Sequence, residues 1–498
     1  MQKFEHFIDG AYVDSTSGNS QAVFNPSLGV ESGQVALASI ADVDAAVASA
    51  QTAFQTWRHT SPLARARLMN KFLAILNERK RELATLISEQ HGKTILDAEG
   101  EVIRGIEAVE FACAAPHLLK GEFSDNVSTA MDMYSMRKPL GVTAAITPFN
   151  FPVMVPMWMV AISTVCGNCV VWKPSERDPA APLKIAEYMM EAGFPKGVLN
   201  VVNGDKVAVD RLTEHDDIKA VSFVGSTPIA KYVYDRSHEH NKRCQAMGGA
   251  KNHMIIMPDA NIENTTNALL GAAYGSAGER CMAISVAVCV GDDTADRVIA
   301  ALTPKIKNLT INHSMDEKAD YGPLVTKQHL EKVISYIDMA EKEGATLLMD
   351  GRGFKLDDDK YADGYFLGPT LIDNVTSEMQ SYKEEIFGPT LQIIRVATLE
   401  EAMRLPSEHE FGNGTSIFTE NGAAARQFSD NVEVGMVGIN VPIPVPMAFH
   451  SFGGWKNSAF NEHNQHGMEG IRFYTKVKTV TSRWKGGESA EFTIPTLS

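Results

Sequence analysis

The sequence is short of cysteine, of positive charge and of any clean membrane-spanning run, and each shortage removes a class of protein. Six cysteines in 498 residues (Cys113, Cys166, Cys169, Cys244, Cys281, Cys289) show no disulfide-framework spacing, which points to a reducing compartment. Only 46 basic residues stand against 61 acidic ones, and a net charge of −15 argues against a general binder of phosphate backbones, so no nucleic-acid partner is expected. The opening MQKFEHFIDG has neither a basic stretch before an apolar run nor an Arg/Ser-rich transit character, and a cytoplasmic location is expected. Residues 151–171 are nearly uncharged and of spanning length, but Pro152, Pro156, Gly167 and Asn168 interrupt them and strand-like runs flank them. They read as a buried βα unit, and no membrane partner is expected. Metal-ligand patterns are also scarce. Cys166-Gly-Asn-Cys169 has no second pair and reads as structural; His238 with His240, and His463 with His466, lack H-E-x-x-H spacing and read as surface residues, so no metal is expected.

What the chain does have is length and pattern. Its 498 residues suffice for about three domain-sized units. Short strand-like runs open it (DGAYV, SGNSQAVFNP), and Val43, Val47, Phe54 and Trp57 then recur at helical spacing. Ser61-Pro62 supplies an N-cap and a first-turn proline, and the stripe Leu68, Phe72, Leu76, Leu83, Leu86, Ile87 runs on to Gly92. From Gly141 short apolar runs (GVTAAIT, NCVVWKP, GVLNVVNG, AVSFVGS, HMIIM) alternate with helical stretches, which predicts a parallel sheet of βαβ units. A second series from near Tyr274 (ISVAVCVGD, TLLMDG, TLQIIRVA, TSIFT, MVGINVP) predicts a second, closely packed α/β domain.

Three segments carry chemistry. Gly275-Ser-Ala-Gly-Glu-Arg-Cys281 delivers one thiol on a small-residue loop beside a charged pair, where a cation or a helix end can favour the thiolate. Phe223-Val-Gly-Ser226 ends a strand and leads into helical sequence, a turn able to offer backbone N–H groups to a pyrophosphate. Val171-Trp-Lys-Pro-Ser-Glu176 places a lysine and a carboxylate at a sheet edge, where they can hold ribose hydroxyls. Each also has a bland reading: a buried structural cysteine, a plain βα turn, a surface salt bridge.

Together these segments resemble the aldehyde dehydrogenase superfamily, in order and over nearly the whole chain. Phe149-Asn150-Phe151-Pro152 matches the segment with the oxyanion-hole asparagine, Lys173-Pro-Ser-Glu176 the ribose motif and Phe223-Val-Gly-Ser226 the pyrophosphate turn. Glu384-Glu385-Ile-Phe387-Gly-Pro matches the motif on the nicotinamide ribose, and Cys281 the nucleophile. The resemblance implies an α/β fold with a parallel, Rossmann-type NAD domain (residues 1–117 and 138–248), an α/β catalytic domain (249–450) and a small β oligomerisation element (118–137 and 470–498). It implies a homodimer or homotetramer, and the alternating run 473–483 suits sheet extension across a subunit interface. NAD is the implied cofactor, held by Thr147, Phe149, Lys173, Glu176, Gly225, Ser226, Glu385 and Phe387, with Glu176 repelling a 2′-phosphate. Cys281 is the implied nucleophile, and the Asn150 amide with the Cys281 N–H the oxyanion donors, worth about 3–4 kcal/mol each.

One position departs from the hydrolytic members, in which a glutamate before the glycine pair activates the deacylating water. Here Gln245-Ala-Met247-Gly248-Gly249 puts a thioether there, which cannot take a proton from water. Coenzyme A, whose thiol ionises near pH 8.5, is the natural acceptor for the acyl group. Glu279 or Glu385 can in principle replace the base, which keeps hydrolysis by an NAD-dependent aldehyde dehydrogenase as the alternative. Arg280 beside the nucleophile can clamp a substrate carboxylate and favour the thiolate, or face outward as a structural arginine. With GGAKNH, GERCMA, VPIPVP and FYTKVKTVTSRW, the chain resembles the CoA-acylating methylmalonate-semialdehyde dehydrogenases. That likeness implies a second carboxylate-binding arginine, placed at Arg104, and decarboxylating oxidation of malonate or methylmalonate semialdehyde to acetyl-CoA or propanoyl-CoA. The stretch SFGGWKNS departs from the subfamily's pattern and leaves the preferred semialdehyde open.

Overall fold

The structure is a computed structural model and describes residues 2–484. Helix Ile40–Trp57 starts in a capping box between Ser39 and Asp42 and buries Val43, Val47, Phe54 and Trp57. Helix Pro62–Glu78 begins behind the Ser61 cap, and Lys80–His91 ends on Gly92 at φ 96°. Both pack with helix Ile95–Cys113, which in turn lies against Met154–Val165. The long apolar stretch thus divides into a helix buried at every position and, after Gly167, the strand Cys169–Lys173. Among the described residues no helix is long and apolar enough to cross a membrane. Cys166 and Cys169 are core residues whose thiols burial pushes up to about 12.

Five parallel strands form the centre of the first sheet, in the spatial order Arg243–Met247, Ile218–Val224, Val142–Ile146, Cys169–Lys173, Leu199–Val201. The winding direction reverses between Val142–Ile146 and Ile218–Val224, so a ligand crevice opens beyond the carboxyl ends of those two strands. The second sheet runs Thr346–Met349, Thr370–Asp373, Thr390–Val396, Ile284–Val290, Asn252–Ile256, Gly414–Phe418, Met436–Ile439 and is parallel except at its first pair.

HMIIM is therefore not the last strand of the first sheet, as its apolar run suggested, but the first strand of the second, Asn252–Ile256. The place it was expected to fill belongs to Arg243–Met247, whose polar residues disguise a strand. Gln245 is buried there because Ser222 Oγ and the carbonyls of His463 and Asn464 satisfy its amide. Residues 248–251 alone join the two strands, so the carboxyl edge of one sheet meets the amino edge of the other.

A third, three-stranded sheet pairs Met131–Pro139 antiparallel with both Thr475–Arg483 and Phe123–Ser128. The strand expected from residue 473 begins at Thr475, because Gly467–Phe473 is helical. Phe123 and Val477 are 65% and 59% exposed on this sheet. Residues 485–498 of the expected oligomerisation element lie outside the described residues.

Candidate active site

Cys281 lies between helix Ile262–Tyr274 and strand Ile284–Val290, at the amino edge of the second sheet. Its loop is tightly wound: Ser276 and Ala277 adopt φ 54° and 52°, and Gly278 φ 75°. A Cβ on Gly278 would sit 2.1 Å from the Gly388 carbonyl oxygen, so glycine alone lets the loop press against the segment that follows Glu385. Asn252 Nδ2 donates to the carbonyls of Cys281 and Ala283, both at 2.9 Å, and Asn413 Nδ2 to that of Cys281 at 3.0 Å. Cys281, Glu385 and Phe387 line one pocket.

Burial pushes the Cys281 thiol up to about 12, and the Glu385 carboxylate adds to the rise. The N–H groups of Cys281 and Met282 and the charge of Lys93 pull the other way without offsetting it. The Arg280 guanidinium lies over Gly275 and pairs with Asp97, and the charges with the largest effect on the sulfur are those of Glu385 and Lys93. Burial likewise pushes Glu385 up to about 7, although the Ala250 N–H donates to it at 2.9 Å. Its other oxygen would lie 2.6 Å from a Cβ on Gly249. Glu279 is fully buried and pushed up to about 8. Its carboxyl faces His91 at 3.8 Å and His329 at 3.6 Å.

Asn150 follows the carboxyl end of strand Val142–Ile146 and is buried, with Nδ2 donating to the Glu279 carbonyl at 3.2 Å. This brings the amide to the Cys281 loop across the sheet junction. Two residues that sequence reasoning missed hold it there. Lys93 Nζ donates to the Asn150 carbonyl at 2.5 Å and to Glu101 Oε2 at 2.7 Å, and stands 4.3 Å over the Phe151 ring. Glu101 Oε1 accepts from the N–H groups of Val153 at 2.8 Å and Met154 at 3.2 Å, at the start of a helix whose N-cap residue offers no side-chain cap. The two side chains are 2% and 0% exposed. A pair so buried adds little net stability against its desolvation; its effect is to hold the Asn150 segment in one register.

The cofactor candidates gather along the crevice. Lys173 Nζ pairs with Glu176 at 3.0 Å. Burial raises the Glu176 carboxyl, but Lys173 and neighbouring donors outweigh it and hold the group below its usual range. Thr147 Oγ1 accepts from Trp172 Nε1 at 2.8 Å. Gly225 donates its N–H to the Met247 carbonyl at 3.1 Å, and the Ser226 side chain does not cap helix Thr227–Glu239, so the helix's first N–H groups stay open to an anion. Phe149 stacks on His91 at 5.9 Å and meets Phe387 edge-on at 6.1 Å. Phe387 has φ 60°, and its carbonyl is 2.7 Å from His329 Nε2. Lys251, a further residue that sequence reasoning missed, is buried and donates to the carbonyls of Ser381 and Glu384 at 2.9 and 2.8 Å, pinning the segment that carries Glu385. Burial lowers its ammonium to about 7.

Arg104 does not touch the Cys281 loop. It sits on helix Ile95–Cys113 two turns, about 10 Å, beyond Asp97, the partner of Arg280, and on the same face. Arg104 Nη1 pairs with Glu107 at 2.8 Å, and Nη2 donates to the carbonyls of Val445 and Pro446 at 3.4 and 3.3 Å. The two histidines read as a surface pair separate. His463 is partly exposed and pairs with Glu469 at 3.0 Å, whereas His466 is 5% exposed, packed against Trp158 and Phe452.

The aldehyde dehydrogenase family model matches residues 12–480. A malonate-semialdehyde dehydrogenase of Pseudomonas aeruginosa is 53% identical over 500 residues, spanning 100% of both chains, and one of Halalkalibacterium halodurans is 46% identical over 97% of this chain and 99% of its own. The solved methylmalonate-semialdehyde dehydrogenase of Oceanimonas doudoroffii superposes with a TM-score of 0.96 at 56% identity, covering 98% of this chain and 99% of that one. A Sinorhizobium meliloti protein solved in complex with NAD does so with a TM-score of 0.96 at 55% identity, with the same coverage of 98% and 99%.

Two outcomes follow from the geometry. Because Glu385 raises the thiol, Glu385→Gln should move the midpoint of Cys281 alkylation by iodoacetamide to lower pH in the ligand-free enzyme; an unchanged midpoint would remove Glu385 from the sulfur's surroundings. Lys93→Met leaves Glu101 buried and unpaired and should cost about 3–5 kcal/mol in urea unfolding. In the double variant Lys93→Met/Glu101→Gln the neutral amide still accepts from Val153 and Met154, so most of that loss should be recovered; additive losses would contradict the clamp.

Proposed function

The chain belongs to the aldehyde dehydrogenase family, and on that premise we propose that it is an NAD-dependent, CoA-acylating dehydrogenase of malonate or methylmalonate semialdehyde. Relatives at 46–56% identity that bear those semialdehyde names support the substrate class. The observation that carries the CoA reading is Met247. It ends strand Arg243–Met247 at 4% exposure, directly before the glycine pair whose Gly249 abuts Glu385, and a thioether at that position cannot act as the base for water.

The crevice suits NAD: Gly225 and Ser226 with the open helix start for the pyrophosphate, Lys173 and Glu176 for the adenosine ribose, Thr147, Phe149, Glu385 and Phe387 toward the nicotinamide. NAD, when bound, accepts the hydride released as the aldehyde carbon is oxidised. Glu385, which lines the same pocket as Cys281 and is pushed up to about 7 by burial, takes the thiol proton. The Cys281 sulfur then bonds to the aldehyde carbon, and the carbonyl electron pair moves onto oxygen. Asn150 Nδ2 and the Cys281 N–H donate to that oxygen. Loss of hydride leaves a thioester on Cys281. The carbon–carbon bond to the β-carboxylate breaks as carbon dioxide leaves, its electron pair passing to the thioester as an enolate that is then protonated. Attack by the CoA thiolate expels the Cys281 thiolate and completes the cycle. Arg280, with one N–H group on Asp97, keeps the rest of its fork for the substrate carboxylate, and Arg104 attracts the same charge from farther along the helix. The exposed apolar residues of the three-stranded sheet suit a second copy, in a homodimer or homotetramer.

Hydrolysis to the free acid is the second reading, and one observation favours it. Glu385 is near the sulfur, against Gly249, and near 7, which suits a base for water.

The test is NADH formation from the two semialdehydes with and without CoA, with the acyl product identified. Acetyl-CoA or propanoyl-CoA is expected, with free acid slow. Free acid at full rate without CoA would overturn the acylating reading. Met247→Glu restores a carboxylate at the glycine pair and should raise the CoA-independent rate, by about 100-fold if the new base is productive.

A further inference from the structure

The fold buries His466 and leaves its ring without a hydrogen-bond partner among the described residues. Its ring stands edge-on to Trp158, centroids 4.6 Å apart, and tilted on Phe452 at 5.3 Å. At 5% exposure neither ring nitrogen has a hydrogen-bond partner among the described residues. Burying an imidazole with both nitrogens unpaired is unfavourable, and phenylalanine would fill the same space without that cost. The backbone is unfavourable as well, at φ 65° for a residue that is not glycine. The surroundings impose it. Gln465 exchanges both backbone hydrogen bonds with Phe452, at 2.9 and 3.0 Å, and the Gly467 N–H donates to the Ala448 carbonyl at 2.8 Å. Unfavourable groups held this firmly collect at ligand sites.

Arg104 supplies the other half of a site. Burial pushes His466 down to about 3, with the Arg104 charge adding to the fall, so the imidazole is neutral. Arg104 hydrogen-bonds the carbonyls of Val445 and Pro446, just ahead of the Ala448 contact that fixes the His466 backbone. A cation beside a neutral N–H donor, in an aromatic wall, is a receptor for an anion. Glu107 takes one side of the guanidinium, at Nη1, and offers nothing to His466. The helix that carries Arg104 also carries, two turns earlier, Asp97, the partner of Arg280 beside the nucleophile.

We propose that His466 is a specificity-determining residue whose ring N–H donates to the substrate carboxylate that Arg104 attracts. It rests on the carboxylated-substrate reading above. The orphaned imidazole then has its partner when an anionic substrate is present, and an uncharged aldehyde leaves it unpaired.

The test compares kcat/KM for malonate semialdehyde with that for propanal, at saturating NAD and CoA. His466→Phe keeps the ring against Trp158 and Phe452 and breaks no side-chain hydrogen bond, so Tm should not fall. The ratio should fall about 10- to 100-fold, through KM for the semialdehyde. An unchanged ratio overturns the proposal. Malonate binding to Cys281→Ala, followed by calorimetry with NAD present, is a readout free of turnover. Its Kd should weaken by about 10-fold or more in Cys281→Ala/His466→Phe, and equal affinity overturns the proposal. Wild-type enzyme that does not prefer malonate semialdehyde over propanal overturns both this proposal and the reading beneath it, whereas a preference that persists in His466→Phe overturns the proposal alone.

Discussion

Only residues 248–251 connect the last parallel strand of the first sheet to the first strand of the second, and the site is organised around that short connection. A link so brief forces two sheet edges together, and the loops at those edges must share one small volume. Gly249 is pressed against Glu385, Lys251 is tied to the carbonyls of Ser381 and Glu384, and Gly278 touches the Gly388 carbonyl. The connection, the Cys281 loop and the Glu385 segment are therefore one packed unit. A larger side chain at Gly249 or Gly278 would separate them.

Close packing also decides the electrostatics. Cys281, Glu385, Glu279 and Lys251 are all displaced toward their neutral forms, and for each of them burial is the largest cause. Glu385 and Lys251 come to lie near neutrality, while the Cys281 thiol stays well above it. The buried pair of Lys93 with Glu101 reaches the backbone of Asn150 and the start of the next helix. The Asn150 amide is thereby placed by residues outside the Cys281 loop.

Much of this was legible in the sequence, and the parts that were not share a cause. Lys173-Pro-Ser-Glu176 and Phe223-Val-Gly-Ser226 lie at strand ends because proline and glycine mark where apolar runs stop, and the family likeness built on them is borne out. RCQAM hid a central strand because its polar groups find partners far along the chain. Lys93 and Glu101 look like any surface charges until the fold sets them together, and the Asp97 that holds Arg280 lies 183 residues away. His466 read as exposed because neighbouring residues are polar; its burial is imposed by chain from Ala448 to Phe452. Local pattern reports strands, turns and helix ends, while long-range pairing of polar groups leaves no local trace.

On the proposed reading, the Cys281 thioester waits for CoA because Met247 offers water no base. Intact-mass spectrometry after rapid mixing of enzyme, NAD and malonate semialdehyde, with CoA withheld, tests this directly. The expected result is an acyl adduct on Cys281 that persists and is discharged when CoA is added. Unmodified enzyme that releases free acid over repeated turnovers without CoA would contradict it.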